Sequence, residues 1–318
     1  MTLKLTGFHH LTAITANAPQ NLAFYRDVLG LRLVKKTVNQ DDTSAYHLFY
    51  ADGEGSPGTD ITFFDWPAAP ERRGSGSVSR TGLRVRDEAA IAYWQTRLKG
   101  AGVLVGEPRD IDDRLVLDFE DPEGQRLRLV VDPKGPKGAP WSDSTVPAEH
   151  QIQGLGEITL SVADMEPTEA VLTRVMNMEK ARSYRDGETE IHVFTMNEGG
   201  SETELHVAHE PKLRQAGQGA GAVHHVAFRT PDREGLDAWT ERLREFRVPS
   251  SGEVERFYFR SLYFRIPSGI LFEIATDGPG FAVDEPAETM GESLSLPPFL
   301  EGRRQQIEAN LKPLERAS

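Results

Sequence analysis

Four times along the chain an apolar-rich strand gives way to an amphipathic helix and then to three more strands. The first such stretch runs from Leu5 to about Trp66 and begins with "GFHHLTAIT", Gly7 to Thr15. In "NAPQNLAFYRDVLG" Asn17 is placed to cap a helix, Pro19 sits in its first turn and Gly30 ends it. Three strand-like runs follow, "LRLVKKTV", "AYHLFYA" and "DITFFDW", the last two separated by the turn-forming "DGEGSPG". The same βαβββ order restarts at Ser77 with "SVSRTGLRV", a helix from about Glu88 and strands ending "GQRLRLVV". It restarts at Gly154 with "GLGEITLSV", a helix around Pro167 to Met176 and strands ending "ETELHVA". The last copy opens at Gly221 with "AVHHVAFRT"; Thr230 is expected to cap its helix, with Pro231 at the first position.

The pattern predicts an α+β fold of four βαβββ modules arranged as two domains, each contributing to cupped mixed β-sheets. The N-terminal domain spans 1–140, with modules at about 5–66 and 77–132, and the C-terminal domain 154–280, with modules at about 154–208 and 221–276. Between them "DPKGPKGAPWSDSTVPAEHQ" is rich in Pro, Gly and Ser and supplies a linker at 141–153. A tail with a short helix occupies 281–318.

Composition narrows the chemistry. A length of 318 residues accommodates about two domains with ample cores. A formal net charge of −13 argues against nucleic acid or an anionic membrane surface as partner. With 0 Cys there is no disulfide, thiolate nucleophile or Cys-ligated metal, so any metal must rest on His and carboxylate. No apolar run approaches 18 residues and no cleavable leader pattern opens the chain, so a cytoplasmic protein acting on a small molecule is expected. Homo-oligomerisation is left open.

Two of the first strands carry a pair of adjacent histidines. Aligning the four copies puts His10, Arg80, Glu157 and His225 in one column, and counting four residues on from the glycine that opens each last strand gives Thr62, Arg128, Glu204 and Glu273. The outer modules thus offer His10, His225 and Glu273, and two facing modules could bring these together. Two imidazoles and one carboxylate leave open positions on a divalent metal, the set found in non-haem Fe(II) oxygenases. A histidine in a strand is more often structural, but here the pairs recur at equivalent positions. His9 and His224 would face away from His10 and His225 unless a bulge intervenes, which suits them to support or structure. His47, His150, His192, His206 and His209 lack such placement and read as surface or structural; His206 and His209, three apart on a strand, face opposite ways.

These stretches, together with "FYRDVLGLRLVKKTVNQDD", "YHLFYAD", "ITFFDWP" and "RFYFRSLYFRIPSGILFEIATDGPGF", resemble the vicinal oxygen chelate superfamily of glyoxalases, bleomycin-resistance proteins and extradiol dioxygenases, and within it the ring-cleaving dioxygenases of hydroquinones. The likeness covers nearly the whole chain and is strongest in the first and fourth modules. It implies His10, His225 and Glu273 as ligands of Fe(II), with Mn(II) as the other candidate. It also implies His9, Thr12, His224, Arg256 and Tyr263 as pocket and supporting residues, a small aromatic 1,4-diol and dioxygen as substrates, and insertion of both oxygen atoms beside one hydroxyl. Arg256 and Tyr263 would donate hydrogen bonds to the bound oxyanion, and His9 or His224 would shuttle a proton.

The residues leave other readings open: a glyoxalase-like isomerase, which would want a further ligand where Thr62 stands, a metal hydrolase or epimerase, and a metal-free binding or resistance protein. A turn at Arg260-Ser261 would pair Tyr258 with Tyr263 and Arg256 with Arg265, giving one face two phenols and two guanidiniums. In the inner modules Arg80 and Arg128 are expected to pair with Glu157 and Glu204 where the outer modules hold their ion.

Overall fold

The structure is a computed structural model that describes residues 3–314. The first module comprises β1 (Phe8–Thr15), α1 (Ala18–Leu22), β2 (Arg32–Val38), β3 (Tyr46–Ala51) and β4 (Asp60–Asp65). The second comprises β5 (Ser77–Val85), α2 (Glu88–Gly100), β6 (Arg109–Ile111), β7 (Arg114–Glu120) and β8 (Arg126–Val131). The third comprises β9 (Leu155–Val162), α3 (Met165–Ala170), β10 (Glu179–Asp186), β11 (Thr189–Thr195) and β12 (Glu204–His209). The fourth comprises β13 (Val223–Thr230), α4 (Arg233–Glu245), β14 (Ser250–Glu255), β15 (Arg260–Arg265) and β16 (Leu271–Thr276).

Helix starts follow side-chain capping. Asn17 accepts from the Gln20 amide as expected, and Asp87 and Asp164 do the same for α2 and α3. In the fourth module the cap is Asp232 rather than Thr230, because Thr230 is still paired with Thr276 in the sheet while Asp232 accepts from the Gly235 amide at 2.9 Å. The chain beyond α1 and α3 continues in wider turns, with Leu29 N–H bonding to Phe24 C=O and Met176 N–H to Val171 C=O.

The strands form two eight-stranded sheets, ordered β14-β15-β16-β13-β1-β4-β3-β2 and β10-β11-β12-β9-β5-β8-β7-β6. Modules one and four therefore share one sheet and modules two and three the other, joined by the antiparallel pairs β1–β13 and β5–β9. Each sheet takes one module from each half of the chain. The segments that carry the chain between sheets run side by side, with Arg72 bridged to Gly217 and Ser75 to Gln215. The helices cover one face of each sheet: Trp94 of α2 and Trp239 of α4 are fully buried there, in a core that also takes Leu11, Leu83, Leu160 and Val226.

The β1–β13 ladder is irregular at two points. Phe8 pairs with Phe228 but His10 with Ala227, which leaves His9 as an extra residue; Thr12 pairs with His225 but Ala13 with Val223, which leaves His224 as another. Each histidine pair thus sits on a β-bulge, where the alternation of faces is broken. The β5–β9 ladder repeats both shifts.

The hairpin of the fourth module differs from the expectation. Glu255 pairs with Arg260, so the turn is Arg256–Phe259, closed by Arg256 N–H to Phe259 C=O, with Phe257 in the left-handed region at φ 67°. Tyr263 is paired with Glu273, and the expected pairing of Tyr258 with Tyr263 and of Arg256 with Arg265 does not form. An aromatic residue at positive φ carries no sequence cue. The tail forms two short helices, Pro298–Glu301 and Arg304–Asn310, and packs Leu296, Leu300 and Ile307 against Val38 of β2; residues 315–318 lie outside the described residues. No helix among the described residues is long and apolar enough to cross a membrane.

Candidate metal centre

β1 and β13 lie at the middle of their sheet and β16 runs parallel to β13, with Ala227 opposite Glu273. This brings His10, His225 and Glu273 into one buried cluster. His225 Nε2 is 2.9 Å and His10 Nε2 is 3.3 Å from Glu273 Oε2, and the two imidazole nitrogens are 3.4 Å apart. The other carboxylate oxygen accepts from Ser261 Oγ.

The donor set fits a divalent cation. Glu273 is fully buried, yet its Oε2 has no hydrogen bond of good geometry, an orphaned charge that costs several kcal/mol unless a cation meets it. Burial pushes Glu273 up, but His10 and His225 more than reverse this and hold it well below the ordinary carboxylate range. Burial pushes His225 down, toward the neutral imidazole that a metal requires.

The bulges explain the doubled histidines. His9 Nδ1 lies 2.8 Å from His10 Nδ1, and His224 Nδ1 lies 2.8 Å from His225 Nδ1. If Nε2 of His10 and His225 served a cation as lone-pair donors, their Nδ1 would carry the hydrogen and donate it to the neighbour, which would fix the tautomer and orientation of each ring. Burial, with the adjacent imidazole, lowers His9 and His224 to about 3, so both are neutral acceptors at physiological pH.

A cavity of about 50 Å³ opens from His10 and His225 and is walled by Phe49, Phe64, Phe259 and Tyr258. Arg256 and Tyr263 line it as well. Arg256 Nε donates to the Tyr263 hydroxyl at 3.3 Å, and its Nη2 meets Asp41 at 2.9 Å across the mouth. Burial, then Glu273, raises Tyr263 well above the usual phenol range, so it stays a neutral donor. Gln40 closes the same side by donating to the Arg256 carbonyl at 2.7 Å.

Of the sequence-derived residues, His9, His10, His224, His225, Arg256, Tyr263 and Glu273 gather here. Thr12 lies behind the wall, buried and bonded to Thr62 Oγ1 at 2.8 Å. His47, set aside from sequence, lines the cavity, with its Nε2 3.0 Å from Thr62 Oγ1. Period-two alternation in "YHLFYA", which puts His47 and Phe49 on one face, was the cue that could have found it. Arg265 is exposed and takes no part.

The corresponding place in the other sheet is filled with ion pairs, but not those expected. Arg128 is bonded to Asp118 at 2.7 Å and only approaches Glu157 at 3.9 Å, and Arg80 lies 3.5 Å from Asp118 and 3.6 Å from Asp186. Glu204 pairs with Arg114 at 2.6 Å and Arg182 at 2.8 Å. The partners come from β7 and β10 of the outer strands, whose charged side chains reach the column before Glu157 and Glu204 can reach its arginines. Asp112, Glu204 and His206 present donors within 4.8 Å of one another, yet Arg182 already binds both carboxylates.

Comparison with known proteins agrees with this architecture. A candidate ring-cleaving dioxygenase of Bacillus subtilis, MhqA, is 45% identical over 316 residues, covering 98% of this chain and 100% of its own. The chlorohydroquinone/hydroquinone 1,2-dioxygenase of Sphingobium indicum is 28% identical, with 96% of this chain and 95% of its own covered. A solved Bacillus subtilis structure described as a candidate dioxygenase superposes with a TM-score of 0.91 at 36% identity, covering 99% of each chain. Residues 7–129 and 154–274 both match one family description, and with the repeated modules and paired sheets they establish that this chain belongs to the glyoxalase/bleomycin resistance protein/dioxygenase superfamily.

Proposed function

We propose that the chain is a metal-dependent ring-cleaving dioxygenase of a hydroquinone-type 1,4-dihydroxybenzene, with Fe(II) held by His10, His225 and Glu273. The observation that carries this reading is the buried two-histidine, one-glutamate cluster at the foot of an aromatic-walled cavity, in a chain related to a hydroquinone dioxygenase over almost its full length. When bound, Fe(II) supplies the electron transfer that lets dioxygen react with the ring. Mn(II) has the same ligand preferences and is the alternative occupant.

The chain's own residues do the rest. Phe49, Phe64 and Phe259 hold the ring and keep water from the centre. Tyr263 and Arg256 donate hydrogen bonds to oxygen atoms that gain negative charge, in a setting where burial strengthens each bond. His9 and His224 keep Nε2 of the ligand histidines aimed inward; as neutral acceptors they suit that task better than proton transfer in the resting protein. Thr62, at the place where an isomerase would want another ligand, is spent on Thr12 and His47. The cavity is smaller than the ~150 Å³ that encloses a benzene, so the Gln40–Asp41 loop or the Arg256–Phe259 turn must give way for a ring to enter.

Oxygen uptake by the iron-loaded protein, measured with hydroquinone and catechol side by side, tests the proposal. Uptake with hydroquinone at one dioxygen per ring is expected. A protein that holds metal but consumes no oxygen with either ring would overturn the reading.

A further inference from the structure

Among the polar groups that line the cavity, His47 neither holds the cation nor supports a ligand of it. His47 stands on β3, its ring against Phe49 at 3.9 Å and Phe64 at 4.5 Å between centroids. Its Nε2 is engaged by Thr62, which is in turn held by Thr12, so both the ring's orientation and one of its nitrogens are fixed. Nδ1 is bonded to no protein group among the described residues, nor is it one of the sealed, unpartnered polar atoms. It is left to the cavity that His47 lines.

Strand order gives that nitrogen a place. In the run β15-β16-β13-β1-β4-β3 the metal cluster occupies the three strands β16, β13 and β1. Tyr263 is on β15, on one side of the cluster, and His47 on β3, on the other. Adjacent strands are about 4.8 Å apart, so β3 lies roughly 10 Å from β1 across the sheet. A ring with one hydroxyl at the cluster and the Tyr263 side would point the opposite end of the ring toward His47. Only a 1,4-diol carries a hydroxyl there; a catechol has both at the near end.

We infer that His47 is the specificity-determining residue that recognises the far hydroxyl of the ring and so selects 1,4- over 1,2-dihydroxybenzenes. The inference rests on the proposed hydroquinone-type substrate. Whichever neutral tautomer the Thr62 bond favours, Nδ1 offers one hydrogen bond, and a hydroxyl can meet it as donor or as acceptor. A site built around such a bond rejects a ligand that lacks the group, because the polar atom is then left unmatched.

Binding to the metal-loaded protein without oxygen, by calorimetry, with hydroquinone, catechol and phenol as probes, decides it. Wild type is expected to bind hydroquinone about fivefold more tightly than phenol, the value of one ordinary hydrogen bond of about 1 kcal/mol. His47→Phe, which keeps an aromatic ring between Phe49 and Phe64, is expected to erase that margin while phenol affinity stays within about twofold. His47→Gln, which restores a hydrogen-bonding group, should recover part of it. Equal losses for both ligands would mean that His47 only packs, and a wild type that does not separate the two ligands overturns the inference without any variant. Metal content and unfolding midpoint are measured alongside; should His47→Phe lose either, the wild-type margin and His47→Gln still decide. Intact discrimination without oxygen uptake would sink the dioxygenase reading and leave the role of His47 standing.

Discussion

At the scale of single residues, the proposed site divides into groups that would hold the cation and groups that hold those groups. Replacing His10, His225 or Glu273 by Ala removes one of three donors, and each variant is expected to fold but to lose its metal; full metal content by elemental analysis in Glu273→Ala would refute the ligand assignment. His9→Ala leaves the ligand in place but takes away the acceptor of its Nδ1–H. Metal affinity is then expected to weaken by about 10–100-fold, read by chelator competition, and an unchanged affinity would reduce His9 to packing. Tyr263→Phe should keep the metal and lower kcat by about a hundredfold, the usual value of one donor aimed at developing charge. The cluster of His10, His225 and Glu273 was legible from sequence because repeat alignment exposes equivalent positions without needing the fold. His47 was not: it lies outside the column, and its approach to the site depends on strand order, β1-β4-β3, which a single strand does not encode. Thr12 was found through resemblance, but in the structure it acts behind the wall.

At the scale of elements, loops and a strap close the pocket, and their energetics differ by burial. Asp41 meets Arg256 across the mouth, but its side chain is 73% exposed. Such a pair is worth under about 1 kcal/mol. Lys35 on β2 is the opposite case: its side chain is 0% exposed and pairs with Asp284 at 2.7 Å and with Glu285, both in the tail. Asp284 also accepts from the hydroxyl of Tyr258, so this ion pair braces the cavity wall. Lys35→Ala removes a buried cation and leaves two partly solvated carboxylates without it, and is expected to cost about 1.5–3 kcal/mol in urea unfolding. Asp41→Ala should fall within about 0.5 kcal/mol of wild type, and equal effects of the two would contradict this account of the strap. None of it was visible in the sequence, where Lys35 belongs to a strand with mixed polarity and the tail has no repeat partner. The bulges were half legible: the doubled histidines raised the question of which face each one takes, and only the ladder shifts at His9 and His224 answer it.

At the scale of the whole molecule, the two sheets are built alike and filled differently. One gathers a carboxylate and two imidazoles, the other sets arginines against carboxylates, and the second arrangement makes stability depend on acid. Asp118 is lowered to about 2: burial opposes this, and Arg128, with Arg80 and Arg109, overcomes it. Glu204 is lowered in the same sense, burial again opposing, by His206, Arg182 and Arg114. A carboxylate whose folded value lies below its unfolded value, near 4, gives its full stabilisation above that pH and loses it as pH falls through the folded value. Asp121 works the other way. Burial raises it to about 6, so it detracts from stability at neutral pH and ceases to do so as pH falls toward 4. Against Asp121 stand His9 and His224, held at about 3 in the fold but free to take up protons near 6.5 when unfolded, so stability is expected to fall already between about pH 6.5 and 4 and to collapse between about pH 4 and 2. For Asp118 alone the acid loss amounts to about 2 kcal/mol, from a shift of nearly two pH units at 1.36 kcal/mol each. Urea unfolding followed by tryptophan fluorescence, repeated across this range, measures it. Asp118→Asn should start less stable at pH 7, because Arg128 keeps only the long contact to Glu157 and the one to Asp186 at 3.4 Å, and should lose less on acidification. If the variant's acid limb were as steep as that of wild type, the ion pairs of Asp118 with Arg128, Arg80 and Arg109 would not set the acid limit, and the loss would have to be sought at Glu204 or at Glu273 and its histidines instead.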